Sequence, residues 1–262
     1  MLLRRITQHV RDQNWTAIGI DFVIVVVGVF IGIQVSNWNE ERVSHNTERA
    51  FIEAVRDEIA QNIENTQGFM EMLSSVRQHG YRALESFNAE ASCQQDCWPR
   101  LVEFFIASQW IDVRTNHSMY DEIKRSGLPR DLALKATLTR YYGTTEQITI
   151  IASQLPQYRQ LVRSIIPAAV QQSMWEQCIG IAGRQQIMKP GCVAPISDAE
   201  ASAIIDKLRN DDEIYPTLTA WMSTIGVVII GLTDQVEYGQ TVIDGLGRYL
   251  DCLLYTSDAA DE

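Results

Sequence analysis

Apolar and polar positions divide this chain into a part without any period and a part with one. Residues 15–38 read WTAIGIDFVIVVVGVFIGIQVSNW, and Asp21 is the one ionisable position among residues 17–36. A helix rises about 1.5 Å per residue, so a hydrocarbon core of about 30 Å takes roughly 20 apolar residues. The stretch supplies that length. Trp15 and Trp38 stand at its ends, where an indole ring lies among acyl chains while its N–H meets headgroups and water. The pattern predicts one transmembrane helix over residues 17–38, behind a short tail of residues 1–16. A cleavable leader would need a small-x-small site after the apolar run, but Gln34, Val35, Ser36, Asn37 and Trp38 follow Ile33. An uncleaved signal anchor is expected.

Beyond residue 38 a period appears. Ile52, Val55, Ile59, Ile63, Thr66, Met70, Leu73, Tyr81, Leu84 and Phe87 recur near 3.6 residues, the spacing of a bundle helix rather than of an extended coiled coil. Neither Gly nor Pro interrupts residues 37–67, so this helix is expected to continue directly from the membrane segment; Gly80 weakens the pattern near its end. Pro99 opens a second helix containing Leu101, Phe104, Phe105, Ile106 and Trp110. In RTNHSMYDEIKRSGLPRD, residues 114–131, the grammar predicts a short helix capped by Ser118 with Asp121 reciprocating. Gly127 stops it and Pro129 starts the next, through Leu132, Leu134, Leu138, Tyr141 and Tyr142.

A further helix from about Thr144 is expected to break at Pro156 and Pro167. CIGIAGRQQIMKPGC, residues 178–192, reads as a surface loop or short excursion closed by Cys178 and Cys192. Ser197 caps a helix through Ile204, Ile205 and Leu208, and a last helix runs from Pro216 through Trp221, Val228, Leu232, Val236, Val242 and Leu246. Its TIGVVIIGL stretch is apolar, yet only about twelve such residues lie between Ala220 and Asp234, which predicts a core helix rather than a second span. No strand alternation outvotes these helices. The fold class expected is all-α, a transmembrane helix followed by an antiparallel helical-bundle domain over residues 39–251.

Residues 252–262 read CLLYTSDAADE, the translation of one frame of a transposase-based sequencing adapter, and are set apart from the fold. Three of the eleven net negative charges fall there, at Asp258, Asp261 and Glu262, and the remainder is still acidic. Nucleic acid as a partner is excluded, because displacing counterions from phosphates takes a basic face. Setting Cys252 aside leaves Cys93, Cys97, Cys178 and Cys192 in local pairs, which suits two short-loop disulfides, Cys93 with Cys97 and Cys178 with Cys192, and not the paired CxxC of a zinc site.

Arg4, Arg5 and Arg11 precede the span, whereas Arg42 and Arg49 beyond it mix with Glu40, Glu41 and Glu48. That bias predicts a cytoplasmic N-terminus and an extracytoplasmic domain, where an oxidising compartment accounts for the paired cysteines. With 18 Arg against four Lys the gene reads as GC-rich and bacterial, so the expected location is the inner membrane with the domain in the periplasm.

Chemistry is sparse. His9, His45, His79 and His117 show no HExxH spacing, and solvated or capping roles are expected for them. Gly245 and Gly247, like Gly180 and Gly183, lack the strand-to-helix context of a dinucleotide fingerprint; no P-loop or GxSxG elbow occurs. Cys97 and Cys178 have no activating base nearby in sequence. No catalytic residue, cofactor or metal is therefore assigned. In the membrane segment Gly28 and Gly32 form a GxxxG on one helical face, a contact through which two copies could approach closely. Asp21 is an intramembrane polar group that either finds a partner or snorkels to the headgroups.

QNW, then IDFVIVVVGVFIGIQVSNWNEER, then SMYDEIKRSG and a following RYY resemble a family of bacterial single-pass membrane proteins that carry a domain of unknown function. The likeness covers most of the chain and is specific mainly over residues 13–42 and 116–142. It implies an anchored helical domain and brings no catalytic residues. By subtraction, the sequence points to a non-enzymatic module for protein interaction or ligand sensing in the envelope. Its expected partners are the lipid bilayer, a second copy and an envelope protein. The competing readings are an accessory subunit of an envelope complex and an enzyme with a scattered active site.

Overall fold

The computed structural model describes residues 15–258 apart from 90, 112–113, 183–184 and 190. The fold is all-α but for one small hairpin. Among the described residues the helices are α1 (Trp15–Glu85), α2 (Cys97–Ala107), α3 (Ser118–Arg125), α4 (Leu132–Ala152), α5 (Gln157–Ile165), α6 (Ala168–Cys178), α7 (Asp198–Arg209) and α8 (Ile214–Asp258). A 3-10 turn, Ser86–Asn88, closes α1. The chain divides into two compact units, residues 1–53 with 248–262, and residues 54–247.

In the first unit, α1 exposes its apolar run on every side. Each described large apolar side chain from Ile20 to Trp38 is at least 46% exposed, and Phe22 reaches 67%. Asp21 is half-buried, and a Cβ added at Gly28 or Gly32 would meet nothing within 4 Å. The tail with Arg4, Arg5, His9 and Arg11, and the side chain of Trp15, lie outside the described residues. Farther along, Ile52 and Leu250 are buried, and the Tyr249 hydroxyl donates to Glu48 Oε1 at 2.8 Å.

The second unit is organised around the carbonyl end of α2. Leu101, Phe104 and Phe105 of α2 are fully buried with Val76 and Ala83 of α1, Tyr158 and Val162 of α5, Leu208 of α7 and Ile225 of α8. Burying a large apolar side chain contributes about 1.5–3 kcal/mol. The last turn of a helix leaves carbonyls without partners, and the packed aromatics supply them. Tyr158 donates its hydroxyl to Phe104 O at 3.1 Å, and Trp221 Nε1 donates to Ala107 O at 3.0 Å. Arg159 Nη1 donates to Ser108 O at 2.8 Å, Arg163 Nε to Ser108 Oγ at 2.9 Å. The negative end of the α2 dipole thus faces two guanidiniums, and no carboxylate pairs with either among the described residues. Burial pushes Arg163 down to about 9, with Arg159 adding to the shift. Its guanidinium lies 3.6 Å from the Phe105 ring centroid and 5.1 Å from that of Trp175.

Several sequence expectations change. Gly143 and Thr144 sit inside α4, so the helix expected to begin near Thr144 is the second half of α4, which ends at Ala152; Pro156 and Pro167 stand just before α5 and α6. Asp131, not Pro129, starts α4, its side chain accepting from Leu134 N at 2.6 Å. Within the 178–192 stretch the excursion takes the form of a hairpin: β1 (Ile179–Ala182) pairs antiparallel with β2 (Gln185–Met188), Ile179 opposite Met188. Gly80 stays inside α1, at a point where the Met222 thioether of α8 approaches closely enough to collide with a Cβ. Length also fails to set α8 apart. Both α1 and α8 are long and apolar enough to cross a membrane, but 33% of the most apolar window of α8 is buried against 0% for α1.

Candidate functional site

The most densely wired polar cluster of the second unit gathers around Glu58. This residue lies on the buried stripe of α1 with Val55 and Ile59, and is 6% exposed. The carboxylate meets the first turn of α3, where helical N–H groups point outward without intrahelical partners. Its Oε2 accepts from Met119 N at 2.8 Å and from Ser118 Oγ at 3.2 Å; its Oε1 accepts from Tyr120 N at 3.3 Å. From α4, the Tyr142 hydroxyl donates to Oε1 at 2.7 Å. Ser118 is therefore inside the helix rather than its cap, and the capping carboxylate comes from sixty residues upstream. Asp121 instead accepts from His117 Nδ1 at 2.7 Å.

Asn62, one turn farther along α1, fixes the incoming strand of chain. Its side chain donates to Asn116 O at 2.7 Å and accepts from Asn116 N at 3.1 Å. At its other end α3 closes as expected on Gly127, whose φ of +79° suits a residue without Cβ. Gly127 N donates to Lys124 O and Leu128 N to Ile123 O, the paired bonds of a Schellman stop.

With α3 held in this way, Tyr120 stacks on Tyr142, ring centroids 4.1 Å apart and planes 11° apart. Burial, reinforced by Glu58, pushes the Tyr142 phenol far above its ordinary value, so it serves as a hydrogen-bond donor and not as a base. Neighbouring Tyr141 is pushed up to about 12, mainly by burial. Four donors saturate Glu58, which leaves it a positioning group. Beside the stacked rings a half-open groove of about 640 Å³ runs between α3 and α4, with Lys124, Thr139, Glu146 and Ile150 among its lining. That volume suits a small ligand.

Of the residues named from sequence, His117, Asp121 and Tyr142 line this groove, whereas the cysteines, the membrane-segment glycines and Asp21 do not. Cys93 and Cys97 are joined, with Cα atoms 5.7 Å apart, as are Cys178 and Cys192 at 4.8 Å. The two bridges are drawn together near the start of α7: Cys97 N donates to Asp198 Oδ1 at 2.9 Å, and Trp98 Nε1 to Cys192 O at 3.2 Å. Gly28, Gly32 and Asp21 belong to the first unit. His79 Nδ1 lies 2.5 Å from Glu103 Oε2, and Arg82 Nε donates to the same oxygen at 3.0 Å. Burial works to raise the Glu103 pKa, but the hydrogen bonds and charges of His79 and Arg82 outweigh it and hold the carboxyl below its ordinary value. Among the described residues no group of three His, Cys, Asp or Glu side chains could hold a metal ion. The Glu58 cluster escaped sequence reading because its parts lie 54 to 84 residues apart; only the apolar spacing around position 58, which puts a carboxylate on a buried stripe, could have signalled it. Comparison with protein-family models, with curated proteins and with solved structures finds no match to this chain.

Proposed function

We propose that this chain is a single-pass, membrane-anchored, non-enzymatic module of the bacterial envelope, whose periplasmic antiparallel helical bundle binds a ligand in the groove beside Tyr120 and Tyr142. The observation that carries the anchor is the all-round exposure of the apolar side chains from Ile20 to Trp38. Water would penalise such a surface and lipid would not. The paired cysteines support an oxidising compartment, and the resemblance to single-pass membrane proteins supports the same architecture. Helix α1 bears both the exposed run and, at Glu58 and Asn62, the groups that fix the groove's α3 wall.

Alkaline phosphatase fused after Asp251 is expected to be active in intact cells, and a cytoplasmic fluorescent reporter at the same point dark. The reverse result overturns the orientation. An accessory-subunit role is favoured by a different observation: α4 and α8, which pack Ile148 against Gly231, leave Ile150, Ile151, Val227 and Ile230 exposed. Crosslinking in membranes separates the two, a stoichiometric protein supporting the accessory role and a retained small molecule supporting ligand binding.

A further inference from the structure

We propose that the groove between α3 and α4 takes a short zwitterionic peptide, of about three residues, with its free carboxylate at Lys124 and its free amine at Glu146. The inference rests on the groove being a ligand site and names what the site would hold. Most polar groups lining it are already used. The Tyr120 hydroxyl donates to Thr139 Oγ1, Tyr142 to Glu58, Thr149 to Thr145 O and Ser153 to Ile150 O. What the tyrosines offer a ligand is ring surface. The Lys124 ammonium and the Glu146 carboxylate, in contrast, take no hydrogen bond or ion pair among the described residues, and both are exposed to the groove.

Their placement gives the ligand a length. Tyr120 meets Thr139 and Tyr142, while Lys135 Nζ donates to Gly127 O at 3.0 Å just beyond the end of α3, so α3 and α4 run antiparallel past each other. Lys124 lies four residues past Tyr120 in one direction and Glu146 four residues past Tyr142 in the other. At about 1.5 Å per residue the two positions that carry the charges are offset by about 12 Å along the groove. An extended chain of three residues reaches about 10 Å, and a hydrogen bond at either end closes the difference. Opposite charges at the two ends match a free amine and a free carboxylate, and reject a ligand of one sign. The rings of Tyr120 and Tyr142 line the middle, where a small apolar side chain fits, and Ile150 lies about one turn beyond Glu146.

The test is calorimetric titration of the full chain in detergent micelles with trialanine, N-acetyl-trialanine and trialanine amide. Trialanine is expected to bind at least tenfold more tightly than either blocked form. In the Lys124→Met variant the preference over the amide should disappear, and in Glu146→Gln the preference over the acetylated form. Equal binding of all three peptides overturns the zwitterionic assignment and leaves the groove a ligand site. A second arm examines the site itself through Gly143→Trp, at a groove-lining position where an added Cβ meets nothing of the protein within 4 Å. If this variant abolishes binding of trialanine, the site is located. If trialanine fails to bind while the variant still loses a small molecule that the wild type retains through purification, the peptide class is overturned alone. If trialanine fails to bind and the variant retains the same molecules as the wild type, both the class and the ligand site fall.

Discussion

Two apolar stretches of this chain meet opposite ends. Residues 20–38 of α1 are exposed all round, whereas in α8 Leu218, Trp221, Met222, Ile225, Val228 and Leu232 are buried and Val227 and Ile230 are not. Hydrophobic content does not separate them. Spacing does: α8 buries positions three and four apart, and Thr219, Ser223, Asp234 and Glu237 extend the opposite face to solvent. No such stripe exists in residues 20–35, where polar residues are too few to form one. An apolar helix with one wet face finishes in a protein core; one without a wet face needs a solvent that is itself apolar.

The sharpest way to break this contrast is at Trp221, which is 6% exposed and donates to Ala107 O at the end of α2. Trp221→Ala should cost about 3–5 kcal/mol, read by denaturant unfolding. Val227→Ala, six residues on and on the exposed face, should stay within about 0.5 kcal/mol. Equal losses at the two positions would mean that α8 has no privileged face.

The corresponding change in α1 is Val26→Arg. A charge at mid-membrane costs about 2.5–3.5 kcal/mol on insertion scales, so the membrane-bound fraction should fall while the melting of the helical domain stays put. A smaller effect separates the two bridges. Closing fourteen residues, Cys178–Cys192 should contribute about 3 kcal/mol and Cys93–Cys97 about 2 kcal/mol in the loop-entropy account. Mass mapping of unreduced peptides should find those two links, and selective replacement by serine should rank them in that order.

The smallest effect belongs to Glu103, where α2 meets His79 and Arg82 of α1. Its folded-state pKa is depressed, so its contribution is present above the unfolded value and fades as pH falls through the folded one. The stability gap between wild type and Glu103→Gln should close as the pH falls below about 4. A gap that widens in acid would contradict the assignment.

What could be read in the sequence was local. Ser197 forms a capping box with Glu200, Gly127 ends α3, and Pro156 and Pro167 separate helices, because each signal acts within one turn of itself. The hairpin at residues 179–188 was illegible for the same reason inverted: four-residue strands are too short to show alternation. At α3 the local grammar named Ser118 as the cap, but a tertiary carboxylate took that role, and no local rule reaches from position 118 to position 58. The groove followed from that unseen contact, so it too was hidden.

Photolabelling from within the bilayer tests the central claim most directly. With the full chain in native membranes, a lipid-soluble carbene precursor is activated and the modified residues are mapped by mass spectrometry. The account predicts labels confined to residues 17–38, with Val227 and Ile230 of α8 unmodified. Labels on Val227 and Ile230 as heavy as those on Val26 and Phe30 would contradict it, and would make α8 a second span.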